Sequence, residues 1–372
     1  MIYLDNAATT KVFDCAIEAM EQTMKDCFFN PNATYKRAID AKKGIDSARK
    51  TIADCLKVRA DEIVFTSCAT ESNNWVMNCG RKRPKGNVVI SAGEHSSVYE
   101  PAMQLKNRGI DVRIVPLLKS GIIDEGAFSR AVDENTTFVS IIHVNNETGA
   151  INPIKRLVDT TKRLAPNALF HSDGVQGALK TKDTISSLGV DFYSASAHKL
   201  GAPKGIGFLY IKNGINIAPM LYGGGQEDGK RSGTQNTPYI AAFAAAVEHL
   251  AAIDKSHVLP LRNELAEHFK SHGCTVIGDD NNSGYILGVV IPGVKAEILQ
   301  NAVCDRDVII GKGAACSGAK RGNRVLSAIG LTDKQIECYV RLSFAADTYR
   351  DEAMKAAQII TETAQKIRSE NV

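Results

Sequence analysis

Short apolar runs alternate with stretches of helical spacing through the first two thirds of the chain. Residues 62–65, 87–90, 111–115, 138–142, 168–171, 190–193 and 206–211 read as strands, each a brief run rich in Val, Ile, Phe or Leu. Between several of them apolar residues recur every three or four positions, which predicts helices over 70–79, 97–107, 125–132 and 154–164. The same spacing over 16–27 and 38–55 precedes the first of these strands. Apolar strands joined by crossover helices predict a mostly parallel sheet covered on both faces, with a ligand crevice at the carboxyl ends of its strands.

The rhythm changes after an alanine-rich helix over 239–253. Helices over 257–273, 297–306, 333–339 and 350–368, with strands over 285–291 and 340–344, predict a smaller α/β unit. The expected division is an N-terminal arm at 1–11, a large domain at 12–255 and a small C-terminal domain at 256–372. Two domains suit a chain of 372 residues. The arm, with its short side chains from Asp5 to Thr10, can line a pocket.

Charge narrows the possible roles. A net charge of +4 without a concentrated basic run argues against nucleic-acid binding. No apolar stretch is long enough to cross a bilayer, and Met1-Ile2-Tyr3-Leu4-Asp5 lacks a basic leader, so a cytoplasmic protein is expected. Nine cysteines, an odd number without a C-x-x-C pair, favour free thiols over disulfides or a structural zinc site.

Candidate chemistry gathers at the predicted strand ends. Lys199, in Ser196-Ala197-His198-Lys199, is placed to form an imine with an aldehyde cofactor, and Asp173, just past strand 168–171, to keep a pyridine nitrogen protonated. Ala69 and Thr70 open a helix whose N–H groups suit an anion, or form an ordinary N-cap. Ser196 and His198 can meet the same anion. The ring of His95 can cover a heteroaromatic cofactor or be structural, and Asn146 and Gln176 suit a phenolate oxygen, although either asparagine of 145–146 can simply form a turn. Arg231 and Thr234 form a second anion-suited stretch. Cys316 lies among small and basic residues that can favour a thiolate, or is an incidental surface thiol, while Arg341, inside a strand, suits an amino-acid carboxylate gripped through two hydrogen bonds. No ligand pair with metal-binding spacing, no G-x-S-x-G elbow and no Walker A motif occurs, so no metal site is expected.

Taken together, Tyr3-Leu4-Asp5-Asn6-Ala7-Ala8-Thr9-Thr10, Ala69-Thr70-Glu71-Ser72-Asn73-Asn74, Glu94-His95, His143-Val144-Asn145-Asn146-Glu147-Thr148-Gly149, Asp173-Gly174-Val175-Gln176, His198-Lys199, Pro203-Lys204-Gly205 and Arg231-Ser232-Gly233-Thr234 resemble a NifS/IscS-type cysteine desulfurase, a class V aminotransferase-like enzyme of fold-type I. The resemblance spans nearly the whole chain. It implies a pyridoxal 5'-phosphate (PLP) enzyme converting L-cysteine to L-alanine, with the sulfur passing to Cys316 as a persulfide. It further implies Lys199 bonded to the cofactor and His95 stacked on its ring, and Asp173 on the pyridine nitrogen. Gln176 and Asn146 would lie near the phenolic oxygen or the substrate, and Ala69, Thr70, Ser196 and His198 near the phosphate. Thr234 would reach the phosphate of a neighbouring subunit, and Arg341 would hold the substrate carboxylate. A homodimer and a sulfur-acceptor protein, such as an iron–sulfur scaffold or a thiolation relay, follow from the same resemblance.

The chain departs from the family pattern at Cys68 and Ala202, where glycine is usual, after Asn30-Pro31, where a histidine is missing, and after Cys316, where leucine-glutamate-proline is absent. The competing readings are a selenocysteine lyase or other β-eliminating enzyme, an aminotransferase, and a non-catalytic interaction protein on the same scaffold, which would not need Lys199, Asp173 and Cys316 together.

Overall fold

The computed structural model describes residues 1–78, 86–279, 281–313 and 323–370. After strand β1 (Ile2–Leu4) and helices α1 (Asp14–Asp26) and α2 (Lys36–Leu56), the chain runs through β2 (Ile63–Thr66), α3 (Ala69–Met77), β3 (Asn87–Ser91), α4 (Ser96–Asn107), β4 (Asp111–Val115), α5 (Glu125–Ala131) and β5 (Thr136–Ser140). It continues through α6 (Ile154–Leu164), β6 (Leu169–Asp173), α7 (Ile185–Leu188), β7 (Phe192–Ser196) and β8 (Gly207–Ile211) to α8 (Thr237–Ala252). Strands β2 to β8 form a seven-stranded sheet in the order β2-β8-β7-β6-β5-β3-β4. All its neighbours run parallel except β8, which is antiparallel to β2 and β7.

The strand alternation sorts the core into two layers. Val88 and Ile90 face Trp75 of α3 and Val98, Ala102 and Leu105 of α4, whereas Val89 belongs to the opposite layer with Ile45 and Ile52 of α2, Leu157 of α6 and Phe243 of α8. Helix α8 is rich in alanine because it is itself covered by α1 and α2; Ala242 and Ala246 are fully buried.

The remaining elements are α9 (Val258–Ser271), β9 (Thr275–Ile277), β10 (Ile286–Val290), α10 (Ala296–Cys304), β11 (Val308–Lys312), α11 (Arg324–Ala328), α12 (Asp333–Glu337), β12 (Tyr339–Ser343) and α13 (Arg350–Glu370). Their sheet has the order β1-β11-β12-β10-β9. The arm therefore does more than line a pocket: β1 pairs in parallel with β11, Leu4 opposite Ile310, as an edge strand of the C-terminal sheet. Asn6 Nδ2 and the Ala7 N–H then bond Ser343 at 2.9 and 2.8 Å.

Three other readings of the pattern change. Strand β11 carries only three apolar residues before Gly311-Lys312, so it did not stand out as a strand. Tyr339 opens β12 rather than ending a helix. Strands β6 and β7 run on to Asp173 and Ser196, past their apolar cores, because the polar ends are satisfied locally: Ser172 Oγ donates to Ile141 O at 2.8 Å and Ser196 Oγ accepts from Ala69 N at 2.8 Å. Among the described residues no helix is long and apolar enough to cross a membrane.

Candidate active site

The carboxyl ends of β6 and β7 and the start of α3 converge, as a parallel sheet requires of its ligand crevice. Asp173, the last residue of β6, is buried. Its Oδ2 accepts from Asn73 Nδ2 at 2.8 Å and its Oδ1 from Val175 N at 3.0 Å, and Asn73 Oδ1 in turn accepts from Ser194 Oγ at 2.5 Å. The carboxylate is thereby held from two sides. Beyond Ser196 a tight turn over Ala197–Lys199 places His198 and Lys199 beside it.

The strap from Asp5 to Thr10 lies over this turn. Lys199 Nζ donates to Ala7 O at 2.5 Å and Ala8 O at 2.6 Å, and Thr10 N and Oγ1 donate to His198 O at 2.9 and 3.1 Å. Burial brings the Lys199 amine down to about 8, helped by Arg341 and opposed by Asp5 and Asp173. His198 is pushed down to about 4 by burial and by its lysine neighbours.

His95 caps α4, and its Nδ1 accepts from Ser97 N at 3.2 Å. Burial, offset by Asp173, lowers its basicity, so the ring is neutral near pH 7 and carries its proton on Nε2. Its ring borders the cavity rather than open solvent. Gln176 Nε2 donates to Ala7 O at 3.0 Å, while Lys180 Nζ lies 3.4 Å from Gln176 Oε1. From the C-terminal sheet, Arg341 Nη1 donates to Asn146 O at 2.9 Å and Nη2 to Asp5 Oδ1 at 3.0 Å; Nε is buried without a partner among the described residues.

Apart from Arg231, Thr234 and Cys316, every residue singled out above for the cofactor or the substrate lines one cavity of about 490 Å³ between the two sheets. Thr234 is exposed and lies off this cavity; its stretch is tied to α3 through Arg231, whose Nε sits 2.9 Å from Glu71 Oε1. Cys316 lies outside the described residues, although Gly311, Lys312 and Gly313, which lead to it, form part of the cavity wall. Sequence reasoning assigned no role to Asn73, which sits three residues after Thr70 on the same helix face. The carbonyls of Ala7 and Ala8 carry no sequence signal at all.

The aminotransferase class-V family profile matches residues 2–355. The chain belongs to that family. This class V enzyme is 32% identical to the cysteine desulfurase IscS of Methanosarcina thermophila, over 99% of this chain and 93% of that protein. A solved NifS-like protein superposes with a TM-score of 0.91 at 32% identity, covering 98% of this chain and 99% of the other. A structure of SspA in complex with cysteine gives 0.83 at 31% identity, over 92% and 99% of the two chains. The family and these relatives place it among the NifS/IscS-type enzymes.

The residues present fit the PLP that the family implies. An amine of low basicity, a doubly held carboxylate and a helix N-terminus meet in one cavity. That amine leads to a pH prediction. With Lys199 near 8, about a quarter of it is neutral at pH 7.5, against about one part in a thousand for an ordinary lysine. Capture of PLP by the cofactor-free protein, followed by absorbance, is expected to accelerate up to about pH 8 and then level off; a rate still climbing at pH 10 contradicts the assignment.

Proposed function

We propose that the protein is a PLP-dependent cysteine desulfurase whose cavity residues act as follows. Lys199 would hold the cofactor and move the substrate α-proton; Asp173 would hold the ring nitrogen and His95 the ring face. Ala69, Thr70, Ser196 and His198 surround the phosphate, and Gln176 and Asn146 the phenolic edge. When bound, PLP supplies an electron-withdrawing ring that takes up the charge left at the substrate Cα.

Arg341 holds the carboxylate of L-cysteine through its unpaired Nε. The carbonyls of Ala7 and Ala8 hold the Lys199 ammonium, which keeps its proton at Nζ beside the cavity. Cys316 thiolate attacks the sulfur of bound cysteine. An S–S bond forms and the Cβ–S bond breaks, its electron pair staying with the carbon skeleton, which takes up protons and leaves as alanine.

The observation that carries this reading is the placement of residues 311–313. The strand end leading to Cys316 walls the same cavity as Lys199, Asp173 and Arg341. The solved relative bound to cysteine supports the substrate. Exposed Leu221, Tyr222 and Phe28, together with a Thr234 that does not reach its own cavity, support a homodimer in which Thr234 serves the neighbouring phosphate. The persulfide then passes to an acceptor protein, an iron–sulfur scaffold or a thiolation relay. The seven described cysteines are free, which suits the cytoplasm.

Incubating the PLP-loaded protein with L-cysteine is expected to yield alanine and protein-bound sulfane sulfur in equal amounts. Turnover of selenocysteine alone points instead to a lyase, and conversion of the cofactor to its amine form, reversed by a 2-oxo acid, to an aminotransferase.

A further inference from the structure

Arg341 meets two carboxylates before any ligand arrives. Its Nη2 bonds Asp5 Oδ1 at 3.0 Å and its Nη1 lies 3.6 Å from Glu147 Oε1. Glu147 is sealed in, with a side chain 1% exposed, whereas Asp5 is 20% exposed and lines the cavity. The backbone of Gly311 runs against the same edge of the guanidinium. A methyl group on Gly311 would stand 2.6 Å from Asp5 Oδ1 and 3.2 and 3.3 Å from Arg341 Nη2 and Nε. The missing Cβ thus leaves room beside the unpartnered Nε, and a fixed anion borders that room.

From this juxtaposition we propose that Asp5 is a specificity-determining residue, admitting amino acids with a single carboxylate and turning away those with a second anion on the side chain. The proposal rests on the desulfurase reading, because it takes Arg341 as the group that holds the substrate carboxylate. One incoming carboxylate is compensated by the charge-assisted bond it makes to Nε. A second, a few ångströms away, meets the Asp5 charge between cavity walls of low dielectric, where like charges repel far more than in water. Lys312, at the same mouth, does little to offset this, since its ammonium lies 3.6 Å from Glu297. L-Cysteine enters with a neutral thiol, whereas L-aspartate and L-cysteine sulfinate arrive with a second negative charge. Discrimination of this kind works through repulsion rather than through a better fit for the preferred ligand.

The test compares L-alanine with L-aspartate as ligands of the PLP-loaded enzyme, their dissociation constants read from the visible absorbance of the cofactor. Asp5→Asn keeps an oxygen for Arg341 and the shape of the strap but removes the charge. It is expected to tighten L-aspartate relative to L-alanine by about tenfold, and Asp5→Ser to do the same. Asp5→Glu, which keeps the charge, is expected to retain the wild-type ratio. An unchanged ratio in both neutral variants, or an equal shift in Asp5→Glu, overturns the assignment. Cofactor loading and alanine formation from L-cysteine are measured on the wild type in parallel. Their absence sinks the desulfurase reading itself, whereas their presence with an unmoved ratio sinks only the role of Asp5.

Discussion

Replacing Lys199 by alanine is expected to abolish turnover of L-cysteine, by about 10²- to 10⁴-fold from its proton-transfer role alone and further through loss of the covalent hold on the cofactor. Among the described residues no neighbour can take over. Lys180 is displaced toward Gln176 and stacks over the Tyr285 ring at 5.7 Å, and His198 is turned to Thr9 Oγ1 at 3.2 Å. Burial lowers Lys180 to about 7, so a second amine of suitable basicity is present but wrongly aimed. Geometry, rather than basicity, thus makes Lys199 unique. The measurement is alanine production together with borohydride reduction of the loaded protein. In the wild type the peptide containing residue 199 should carry the mass of the reduced cofactor. Labelling of residue 180 with near-normal turnover in the variant would show that the wrong amine has been assigned.

The second large effect is expected at Cys316. Its replacement by alanine or serine should eliminate protein-bound sulfane sulfur on exposure to L-cysteine, while cofactor loading and absorbance stay as in the wild type. The separation follows from the layout of the cavity. The groups that fit the cofactor come from the ends of β6 and β7, from α3 and from the α4 cap, all in or beside the larger sheet, whereas Cys316 follows β11 of the other sheet in sequence. A serine hydroxyl at this position cannot form the S–S bond, and its high pKa leaves it protonated, so it provides no partial rescue. Mass spectrometry of the intact protein after incubation reads the outcome directly. A wild-type gain of one sulfur in the Cys316→Ala variant would move the acceptor role to another thiol.

Much of the site was legible because its chemistry sits at strand ends that the apolar pattern marks. Lys199 and Asp173 follow buried runs, and the parallel sheet brings such ends together. Arg341 stood out as a charge inside a strand. The hidden part is relational. Asn73 looks like any helix asparagine until Asp173, 100 residues later, lies 2.8 Å from its amide. Asp5 reads as part of an extended arm, and its partner Arg341 is 336 residues away. Strand β11 was missed because its second half, Gly311-Lys312, is shaped by the cavity it walls and not by a core. Glycine there is demanded by the close approach of Asp5 and Arg341, not by turn geometry. Local propensity records none of these requirements, since each is set by an element far away in the chain.

The stitching of β1 to β11 has a consequence for biogenesis. At translation speeds of 5–20 residues per second, the Ile2–Leu4 segment waits roughly 15 to 60 s on the ribosome before residues 308–312 exist to pair with it. Until then the strap over Lys199 lacks its anchor on Ser343, and Arg341 has not been synthesised. The cavity between the two sheets is therefore walled on one side early, and closes only when the C-terminal sheet has been made, late in synthesis.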